Sequence, residues 1–461
     1  MQSKFGGRVL NSNSVGTGKS LETLLFIHKY LPKDPPGPVV IVPPAHLKIN
    51  WSREILKHTG QRSFICYHER VPPETLPPED PNSILICNYN ILVPPRWRSR
   101  MAFPPDSWAA WLKNLKPRMV VADEGHALKD IRSQRTRAFK KMVEGVEYVH
   151  ILTGTPITNQ PGDLWPLLNI LRPDLYRSQW EFLNHHSHLR RYWWGWRATG
   201  AKDLDLLHEE LSRTVMIRRR KEDVLEDLPP VTYSTVPIEV DLRDYRKAEG
   251  DFLGWMEKEF PTKARNAAKA EQLSKLNFLK QMVGQLKVKA VISLIEDYLE
   301  STDGKILLGA IHHSVTKPLM EALGGCAVLV NGKLTDKQKN EAFDLFNSNK
   351  KCRVLVGNLQ AAGTGWSCQA TSNIDIMEMP WVPSDIIQFI GRCDGINRGI
   401  PGTGASVRFL LAPNTIDDDL AKANEVKQKW ANEAIDGCPD AMSLPVHQMV
   451  LEAMRRRHGN R

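Results

Sequence analysis

The chain contains 461 residues with a formal net charge of +10, of which 41% are hydrophobic and 25% are charged. This length predicts two or three domains rather than one core, and the composition is that of an ordinary soluble globular protein. No apolar run is long enough to span a bilayer, and the first residues lack the apolar core of a secretion signal. A cytoplasmic location is therefore expected, or a nuclear one if the organism is eukaryotic. The positive charge favours a polyanionic partner without requiring one.

Seven cysteines are present, and no two of them have C-x-x-C spacing. The pattern predicts buried or incidental thiols of a reducing compartment, rather than a zinc site or a set of disulfides. Their positions are Cys66, Cys87, Cys326, Cys352, Cys368, Cys393 and Cys438.

Short apolar runs alternate with helical patterns through the first half of the chain. Their near-continuous apolarity favours parallel strands that are covered on both faces. The predicted strands are Arg8–Asn11, Val39–Val42, Ser83–Cys87, Met119–Ala122 and Val149–Leu152. The first strand is followed by a glycine-containing loop and then by a helical pattern, which is the order of a phosphate-binding loop.

That loop is Gly16-Thr17-Gly18-Lys19-Ser20. Its backbone N–H groups, at the start of a helix, can wrap phosphate oxygens, and the two glycines permit the tight curvature. Lys19 would neutralise the β and γ phosphates of ATP, and the Ser20 hydroxyl would ligate Mg²⁺. The usual first glycine of this pattern is Asn13 here. The local pattern is therefore incomplete, and a plain glycine-rich turn is the alternative.

A second motif follows the apolar run Met119–Ala122. Asp123 ends this predicted strand at the open carboxyl edge of the sheet, where it can hold Mg²⁺ through water while Glu124 polarises the attacking water. An acidic loop after a core strand is the alternative. His126 either couples the nucleotide to the next motif or caps a turn.

An unusual density of aromatic residues lies at 192–197, with the sequence Tyr-Trp-Trp-Gly-Trp-Arg. Aromatic rings with arginine could stack on exposed bases at a DNA fork. The alternative, which we favour from the sequence, is a helical insertion that packs on the first domain.

The second half repeats the alternation after a charged, helical stretch. Its predicted strands are Lys305–Ala310, Ala327–Val330, Arg353–Gly357, Asn373–Met377 and Val407–Leu411. The expected domains are a first lobe at 1–235, a helical linker or insertion at 236–287, a second lobe at 288–430 and a partly disordered C-terminal tail at 431–461.

Several stretches, in order, resemble the motifs of one family. Asp123–Asp130 resembles motif II of the Swi/Snf-like branch of superfamily two helicases. The other stretches, which resemble motifs Ia and III, the basic inter-lobe segment, and motifs V and VI in that order, are Val39–Lys48, Ile151–Ile157, Val215–Arg219, Gln360–Gly365 and Gln388–Arg392. Residues 195–201 and 215–219 are most similar to the annealing-helicase (HARP-like) subgroup.

The resemblance implies an α/β fold of the P-loop NTPase, helicase type, with two RecA-like parallel-sheet lobes, ATP between them and DNA across them. It implies an ATP-dependent translocase on duplex or branched DNA, without base-specific readout and expected to be a monomer. Catalysis is implied for Lys19, Asp123, Glu124 and Arg392, and nucleotide contact for Gln388. Coupling or DNA contact is implied for His126, Thr153, Gly154, Thr155, Lys48, Arg218, Arg219, Gly363 and Gly365.

The sequence also departs from the family pattern. Motif VI of the family carries two arginines three apart, but Arg392 is followed by Gly395, with Arg398 three further on. Either Arg398 reaches the γ-phosphate or the arginine finger is weakened. Trp366 either stacks on DNA or packs between elements. Only 18 residues precede Lys19 and the adenine-reading glutamine has no counterpart, so the chain is expected to be truncated or relaxed in base selectivity.

Three functions are therefore compared. The leading one is a DNA-stimulated ATPase that moves on duplex or branched DNA. The second is a catalytically weak DNA-binding scaffold of the same fold, and the third is an RNA-directed helicase of the same superfamily.

Overall fold

The structure is a computed structural model. It describes residues 5–67, 79–98, 101–157, 160–192, 195–221, 223–224, 229–258, 265–363, 365–394, 399–400, 403–436, 450, 453–454 and 456–457. The chain divides into two compact units, one at 1–225 with 429–443 and the other at 226–428 with 444–461. The domain boundaries expected from the sequence stay predictions.

The first unit contains nine strands among its described residues. They are β1 (Arg8–Asn11), β2 (Val39–Val42), β3 (Ser63–Ile65), β4 (Ile84–Ile86), β5 (Met119–Asp123), β6 (Tyr148–Leu152), β7 (Ser187–Tyr192), β8 (Gly195–Ala201) and β9 (Met216–Ile217). Seven of them form a parallel sheet with the order β3-β4-β2-β5-β6-β1-β9, while β7 and β8 form an antiparallel hairpin.

Helices cover both faces of this sheet. They are α1 (Lys19–Lys29), α2 (Lys48–Thr59), α3 (Trp108–Asn114), α4 (Gln134–Met142), α5 (Trp165–Leu171), α6 (Gln179–His186) and α7 (Leu204–Thr214). Side chains alternate along each strand, so Val39 and Ile41 join one core cluster with α1 and α2, whereas Val40 and Val42 join another with α4 and α5. Burial on both faces explains why these strands are apolar throughout.

The carboxyl edge of this sheet gathers three motif-bearing loops. Asn11 of β1 and Asp123 of β5 both align with Leu152 of β6, which lies between them. Parallel pairing in this register brings the loops that follow these three residues to one edge.

The second unit contains a six-stranded parallel sheet. Its strands are β10 (Thr232–Pro237), β11 (Ile306–Ala310), β12 (Ala327–Val330), β13 (Val354–Asn358), β14 (Asn373–Ile376) and β15 (Ser406–Leu411). Their order among the described residues is β10-β15-β14-β11-β13-β12. The helices are α8 (Arg243–Lys258), α9 (Arg265–Ser301), α10 (His313–Leu323), α11 (Asp336–Ser348), α12 (Leu359–Ala362), α13 (Pro383–Ile390) and α14 (Ile416–Asp436). The part of α14 from residue 429 onward is assigned to the first unit.

The predicted fold class is confirmed, and all ten predicted strands are present with ends within one residue. The short strands β3 and β9 and the strand β10 were not predicted. The helical insertion expected around 192–197 is wrong, because β7 and β8 form a hairpin there; aromatic and β-branched residues favour strands. Val450 and Met454, from the expected C-terminal tail, are buried in the core of the second unit.

A buried lysine fastens the long helix α9 to the second sheet. Lys287 is fully buried, and its amine donates hydrogen bonds to the carbonyl of Leu410 at 2.8 Å, to the carbonyl of Met377 and to the carboxylate of Asp417. Both carbonyls lie at the carboxyl ends of strands, so one ammonium group joins α9, β14, β15 and α14. Three acceptors satisfy all of its donors, which is what allows the charge to be buried.

We expect Lys287→Met to lower the free energy of unfolding by about 3–5 kcal/mol, because it leaves the buried carboxylate of Asp417 without its cation. Urea denaturation would measure the loss. The exposed Lys317, paired with Glu321, supplies the control, and Lys317→Met should cost under about 0.5 kcal/mol. The double change Lys287→Met with Asp417→Leu should recover much of the loss; no recovery would contradict an ion-pair origin.

Candidate functional site

The loop after β1 has the backbone that a phosphate-binding loop requires. Gly16 and Gly18 both have φ of 86°, in the left-handed region that side chains disfavour. A Cβ on Gly18 would meet no atom within 4 Å. Glycine is therefore favoured at this position by its backbone conformation and not by a lack of space. Gly18 immediately precedes α1. The N–H groups of a first helical turn have no carbonyl partner within the helix and are the donors that an anion uses.

Lys19 lies over this loop. Its amine donates to the carbonyl of Asn13 at 2.9 Å and to the carbonyl of Ser14 at 3.0 Å, while the Thr17 hydroxyl donates to the same Ser14 carbonyl at 2.9 Å. The ammonium group is thus held at the loop by two neutral carbonyl acceptors. Phosphate oxygens are stronger acceptors for a cation, so the arrangement suits a triphosphate.

Asn13, which replaces the usual first glycine, has a structural part in the loop. The side-chain amides of Asn11 and Asn13 both donate to one carboxylate oxygen of Glu22 in α1, each at 2.9 Å. The backbone N–H of Asn13 also donates to the side-chain oxygen of Asn11 at 3.2 Å. This clamp ties the end of β1 to α1 across the loop. Sequence reasoning missed Asn11 and Glu22, whose only signal is an acidic residue in the first helical turn.

Asp123 is held by donors on both sides. One carboxylate oxygen accepts from the indole N–H of Trp51 at 2.7 Å, and the other accepts from the backbone N–H of Glu124 at 2.9 Å. Burial, followed by the charge of Glu124, raises the pKa of Asp123 from its ordinary value of 3.8 to about 6, although Trp51 and the charge of Lys19 oppose the rise. The effect of Lys19 on this carboxyl shows that the two motifs lie within electrostatic reach of each other.

The turn after Asp123 presents Glu124. Its φ of 49° is unusual for a residue with a side chain and begins a short 3₁₀ turn, Gly125–Leu128. The Glu124 side chain is 22% exposed, so water can reach it, and its carboxylate lies 3.4 Å from Nδ1 of His126. A Cβ on Gly125 would lie 2.1 Å from Cγ2 of Ile151, so only glycine lets this turn approach β6.

The loop after β6 touches the phosphate-binding loop. A Cβ on Gly154 would lie 2.6 Å from Cγ2 of Val15 and 3.3 Å from the amine of Lys19. Thr153 donates its backbone N–H to the carbonyl of Asn11 at 3.0 Å, and its hydroxyl accepts from the N–H of Thr155 at 3.2 Å. The structure therefore brings Thr153, Gly154 and Thr155 together with the loop.

The basic segment after β9 runs beside the approach to the phosphate-binding loop. The backbone N–H groups of Ser12 and Ser14 donate to the carbonyls of Ile217 at 2.8 Å and Arg219 at 3.1 Å. The guanidinium of Arg218 donates to the carbonyl of Ser12 at 2.7 Å. Sequence reasoning proposed Arg218 and Arg219 only as phosphate contacts and missed this attachment, because strand β9 is too short to stand out.

Lys48 is engaged within the first unit. Its amine donates to the carbonyl of Cys66 at 3.0 Å and lies 4.9 Å from the centre of the Tyr67 ring. The prediction that Lys48 contacts DNA stays untested, and these contacts show that the side chain also has a structural part.

Arg392 of the second unit is buried. Its guanidinium donates to the carbonyl of Trp366 at 3.0 Å and to the carbonyl of Gln388, itself buried, at 3.1 Å. Its own carbonyl accepts from the N–H of Cys368 at 2.9 Å. Arg392 thus joins the segment after α13 to the loop after α12. Arg398 lies outside the described residues.

Glycines shape the loop after α12. Gly365 has φ of 89°, and a Cβ on Gly363 would lie 2.4 Å from the carbonyl oxygen of Leu359. Trp366 stacks on Phe343, with ring centres 4.2 Å apart and planes 6° from parallel, and its indole donates to the carbonyl of Ala362 at 2.7 Å. Of the two readings of Trp366, packing between elements is therefore the one that the structure supports.

The residues present fit a magnesium ion that arrives with a nucleotide. Within the described part of the chain no group of three or more histidine, cysteine or acidic side chains could hold a metal. Mg²⁺ commonly uses only one or two carboxylates together with phosphate oxygens and waters. Asp123, a partly buried carboxylate at the sheet edge that carries the loop of Ser20, matches that requirement.

A glycine loop after β1 and an Asp-Glu pair after β5, in one of two parallel-sheet units, define a P-loop protein of the helicase type. The family described as "SNF2-related domain" matches residues 7–282, and "Helicase conserved C-terminal domain" matches residues 286–395. The chain belongs to the SNF2-related family, as the sequence resemblance predicted. The domains of this family imply nucleotide use and ATPase activity in the family.

Similar proteins include annealing helicases. A Caenorhabditis elegans homologue of "SWI/SNF-related matrix-associated actin-dependent regulator of chromatin subfamily A-like protein 1" is 27% identical over 440 residues, covering 92% of this chain and 58% of the relative. The human "DNA annealing helicase and endonuclease ZRANB3" is 24% identical over 427 residues, covering 90% of this chain and 37% of the relative. The chain thus spans about half the length of the curated relatives it matches.

A solved structure, "Sulfolobus solfataricus SWI2/SNF2 ATPase core in complex with dsDNA", covers 98% of this chain and 92% of its own, with 18% identity and a TM-score of 0.38. The fold assignment rests on the two parallel sheets and on the family match. No helix in the described parts of the chain is long and apolar enough to cross a membrane.

The raised pKa of Asp123 predicts a pH dependence of stability. Between pH 3.8 and about 6 the folded protein keeps a proton that the unfolded chain has released, so the free energy of unfolding should fall as the pH rises through this window. The full shift corresponds to about 3 kcal/mol. Asp123→Asn, which cannot ionise, should remove this part of the slope in urea denaturation without Mg²⁺ from pH 4.5 to 7.

The exposed Asp205, in the same unit, gives the control variant Asp205→Asn, which should keep the slope of the parent. Asp419 also has a pKa raised to about 6, chiefly by burial, but its contribution is common to all three proteins and cancels. If the free energy of unfolding of Asp123→Asn kept the pH dependence of the parent, the pKa of Asp123 would not be the raised one.

Proposed function

We propose that the chain is an ATP-dependent motor that couples hydrolysis to movement on, or remodelling of, duplex or branched DNA. The observation that carries the proposal is the convergence of Lys19, Gly154 and Asp123 at one sheet edge. Gly154 lies against the amine of Lys19, and the charge of Lys19 acts on the carboxyl of Asp123. A lysine over the phosphate-binding loop and a carboxylate that can hold a metal, at one edge, are parts that phosphoryl transfer uses.

In this mechanism the first unit binds the triphosphate. The backbone N–H groups of Gly16 to Ser20 donate to phosphate oxygens, and Lys19 exchanges its two carbonyl acceptors for the β and γ phosphates. Ser20 and Asp123 would hold Mg²⁺, which neutralises phosphate charge when bound. Ionised Asp123 binds a cation better than the protonated acid, so nucleotide with Mg²⁺ should release a proton from it below about pH 6.

Glu124 is proposed to orient and deprotonate the attacking water. The backbone of Glu124 is left-handed, and the two carboxylate oxygens of Asp123 already accept hydrogen bonds from Trp51 and from the Glu124 N–H. The two acids can then act separately, one on the metal and one on the water. His126 lies within 3.4 Å of Glu124. A change in the charge or position of that carboxylate can therefore act on the 3₁₀ turn that contains His126.

Movement requires that a change in the bound nucleotide alters the structure beyond the phosphate-binding loop. Two segments are physically attached to this loop: Thr153–Thr155 through Asn11 and Val15, and Arg218–Arg219 through Ser12 and Ser14. We propose that a shift of the loop on hydrolysis moves both segments and changes their grip on DNA phosphates. DNA is the proposed track because the net charge is +10 and the human relative is named a DNA annealing helicase.

A catalytically weak DNA-binding scaffold of the same fold is the second candidate. Gly395 stands where the family has a second arginine, and the described guanidinium of Arg392 is engaged by carbonyls of its own unit. Phosphate release in the presence of single-stranded, duplex and forked DNA distinguishes the two. Stimulation by duplex or fork supports the motor, whereas intact DNA binding without stimulation supports the scaffold. Stimulation by RNA but not by duplex DNA would favour an RNA-directed helicase.

Glu124→Gln is expected to reduce DNA-stimulated phosphate release by about 100-fold or more, because the amide cannot accept the proton of the water. ATP affinity should stay within about threefold of the parent, since no phosphate contact is lost. The exposed Glu144, remote from the loop in sequence, gives the control Glu144→Gln, which should turn over normally. Normal turnover in Glu124→Gln would remove the assignment of the water-activating carboxylate.

Lys19→Ala should abolish ATP turnover altogether, because the β and γ phosphates lose their cation.

Arg392→Ala is expected to lower kcat more than it raises KM for ATP, if Arg392 supplies charge to the transition state from the second unit. Because Arg392 also bonds to Trp366 and Gln388, thermal unfolding must be followed in parallel. Arg392→Lys keeps the charge but loses the forked geometry and should be intermediate. A fall in Tm with unchanged kcat in the folded fraction would limit Arg392 to a structural part.

A further inference from the structure

The hairpin of β7 and β8 is a separate element of the first unit. Its register places Arg190 opposite Arg197 and Arg191 opposite Trp196, and neither strand pairs with another strand among the described residues. A two-stranded hairpin is only marginally stable by itself. The stability of the hairpin therefore depends on how its two ends pack against the rest of the unit.

The base of the hairpin is anchored in the core of the first unit. Phe182 of α6 and Ala201, the last residue of β8, are both buried in the main core cluster. The buried His186, which precedes β7, has Nε2 3.4 Å from the carboxylate of Glu210, and its carbonyl accepts from the N–H of Lys202 at 3.3 Å. By contrast, Arg190 and Arg191 are exposed and Trp196 is 50% exposed. The hairpin is thus fixed at one end and open to solvent along its length.

The charge on this hairpin is of one sign. Residues 187–201 contain three arginines and no acidic residue, and the nearest acids along the chain are Glu181 and Asp203. A segment with this one-sided charge favours a polyanionic partner.

Exposed aromatic rings accompany the arginines. Trp196 and Trp180 are each 50% exposed, and their rings meet with centres 5.8 Å apart at 61°. An exposed indole offers a flat face on which an unstacked base can lie, and a neighbouring guanidinium can bind the adjoining phosphate. Bases inside a duplex are already stacked, so this surface matches a single strand rather than an intact helix.

We infer that the surface formed by Trp180, Arg191 and Trp196 binds single-stranded DNA where it leaves a duplex. Arg191 and Trp196 are directly opposite in the register and therefore lie on one face of the hairpin. The inference rests on the proposed function, which places the chain on duplex or branched DNA, and adds that this hairpin gives preference for the branch. It assigns the rings to bases and Arg191 to the backbone phosphate beside them.

Fluorescence anisotropy without nucleotide tests this assignment on three labelled oligonucleotides: a blunt duplex, the same duplex with two unpaired arms, and one free arm. Trp196→Ala should weaken binding of the forked DNA about tenfold, bringing its affinity close to that of the blunt duplex. Trp196→Phe, which keeps a ring, should retain most of the preference for the fork.

Salt dependence separates the rings from the arginines. Arg191→Gln should lower the slope of log K against log salt by about 0.7, which is the release of one counterion from a single strand. Trp196→Ala should leave that slope unchanged. Arg213, an exposed arginine of α7 paired with Glu209, gives the control Arg213→Gln, which should bind all three DNAs like the parent. Thermal unfolding of each variant verifies that it is folded.

Folded Trp196→Ala and Arg191→Gln proteins that keep the parent's preference for forked DNA would overturn the inference, and DNA-stimulated ATPase activity in the parent would still support the motor. Equal losses in Trp196→Ala and Trp196→Phe would overturn base stacking. If no DNA stimulates ATP turnover but the variants lose fork binding as described, the proposed motor fails and the binding surface stands.

Discussion

The parallel pairing of β1 and β5 on either side of β6 is the constraint on which the candidate site depends. Because Asn11 and Asp123 both align with Leu152, the three loops that follow must leave the sheet at one edge. A slip of one residue in either pairing would turn a strand's side chains to the opposite core face, so burial on both faces fixes the register. The chemistry of Lys19, Asp123 and Thr153 is held in place by apolar side chains that take no part in it.

Buried polar contacts then set the details that the sheet leaves open. The carboxylate of Glu22 accepts from Asn11 and Asn13 and closes the phosphate-binding loop on α1, while Trp51 fixes the direction of Asp123. Desolvation raises the pKa of Asp123 to about 6, and a bound cation would favour its ionised form.

Basic residues have two different parts in this structure. Arg392 and Lys287 of the second unit are buried and satisfied by carbonyl or carboxylate oxygens, so they hold elements together. Arg190 and Arg191 of the first unit are exposed on a hairpin without any acidic residue. The same residue types therefore serve packing in one place and present a charged surface in the other, and only burial distinguishes them.

Local patterns in the chain were enough to predict the two parallel sheets, the loop at Gly16–Ser20 and the pair Asp123-Glu124, because apolar runs and glycine spacing express local preferences. It did not determine the hairpin at 187–201, the packing of Trp366, or the attachment of Arg218 to Ser12, since these depend on partners distant in the chain. The clamp of Glu22 and the indole of Trp51 on Asp123 were likewise decided by the tertiary structure. A hydrogen bond between residues 51 and 123 leaves no periodic signal, because its geometry exists only once the strands have paired.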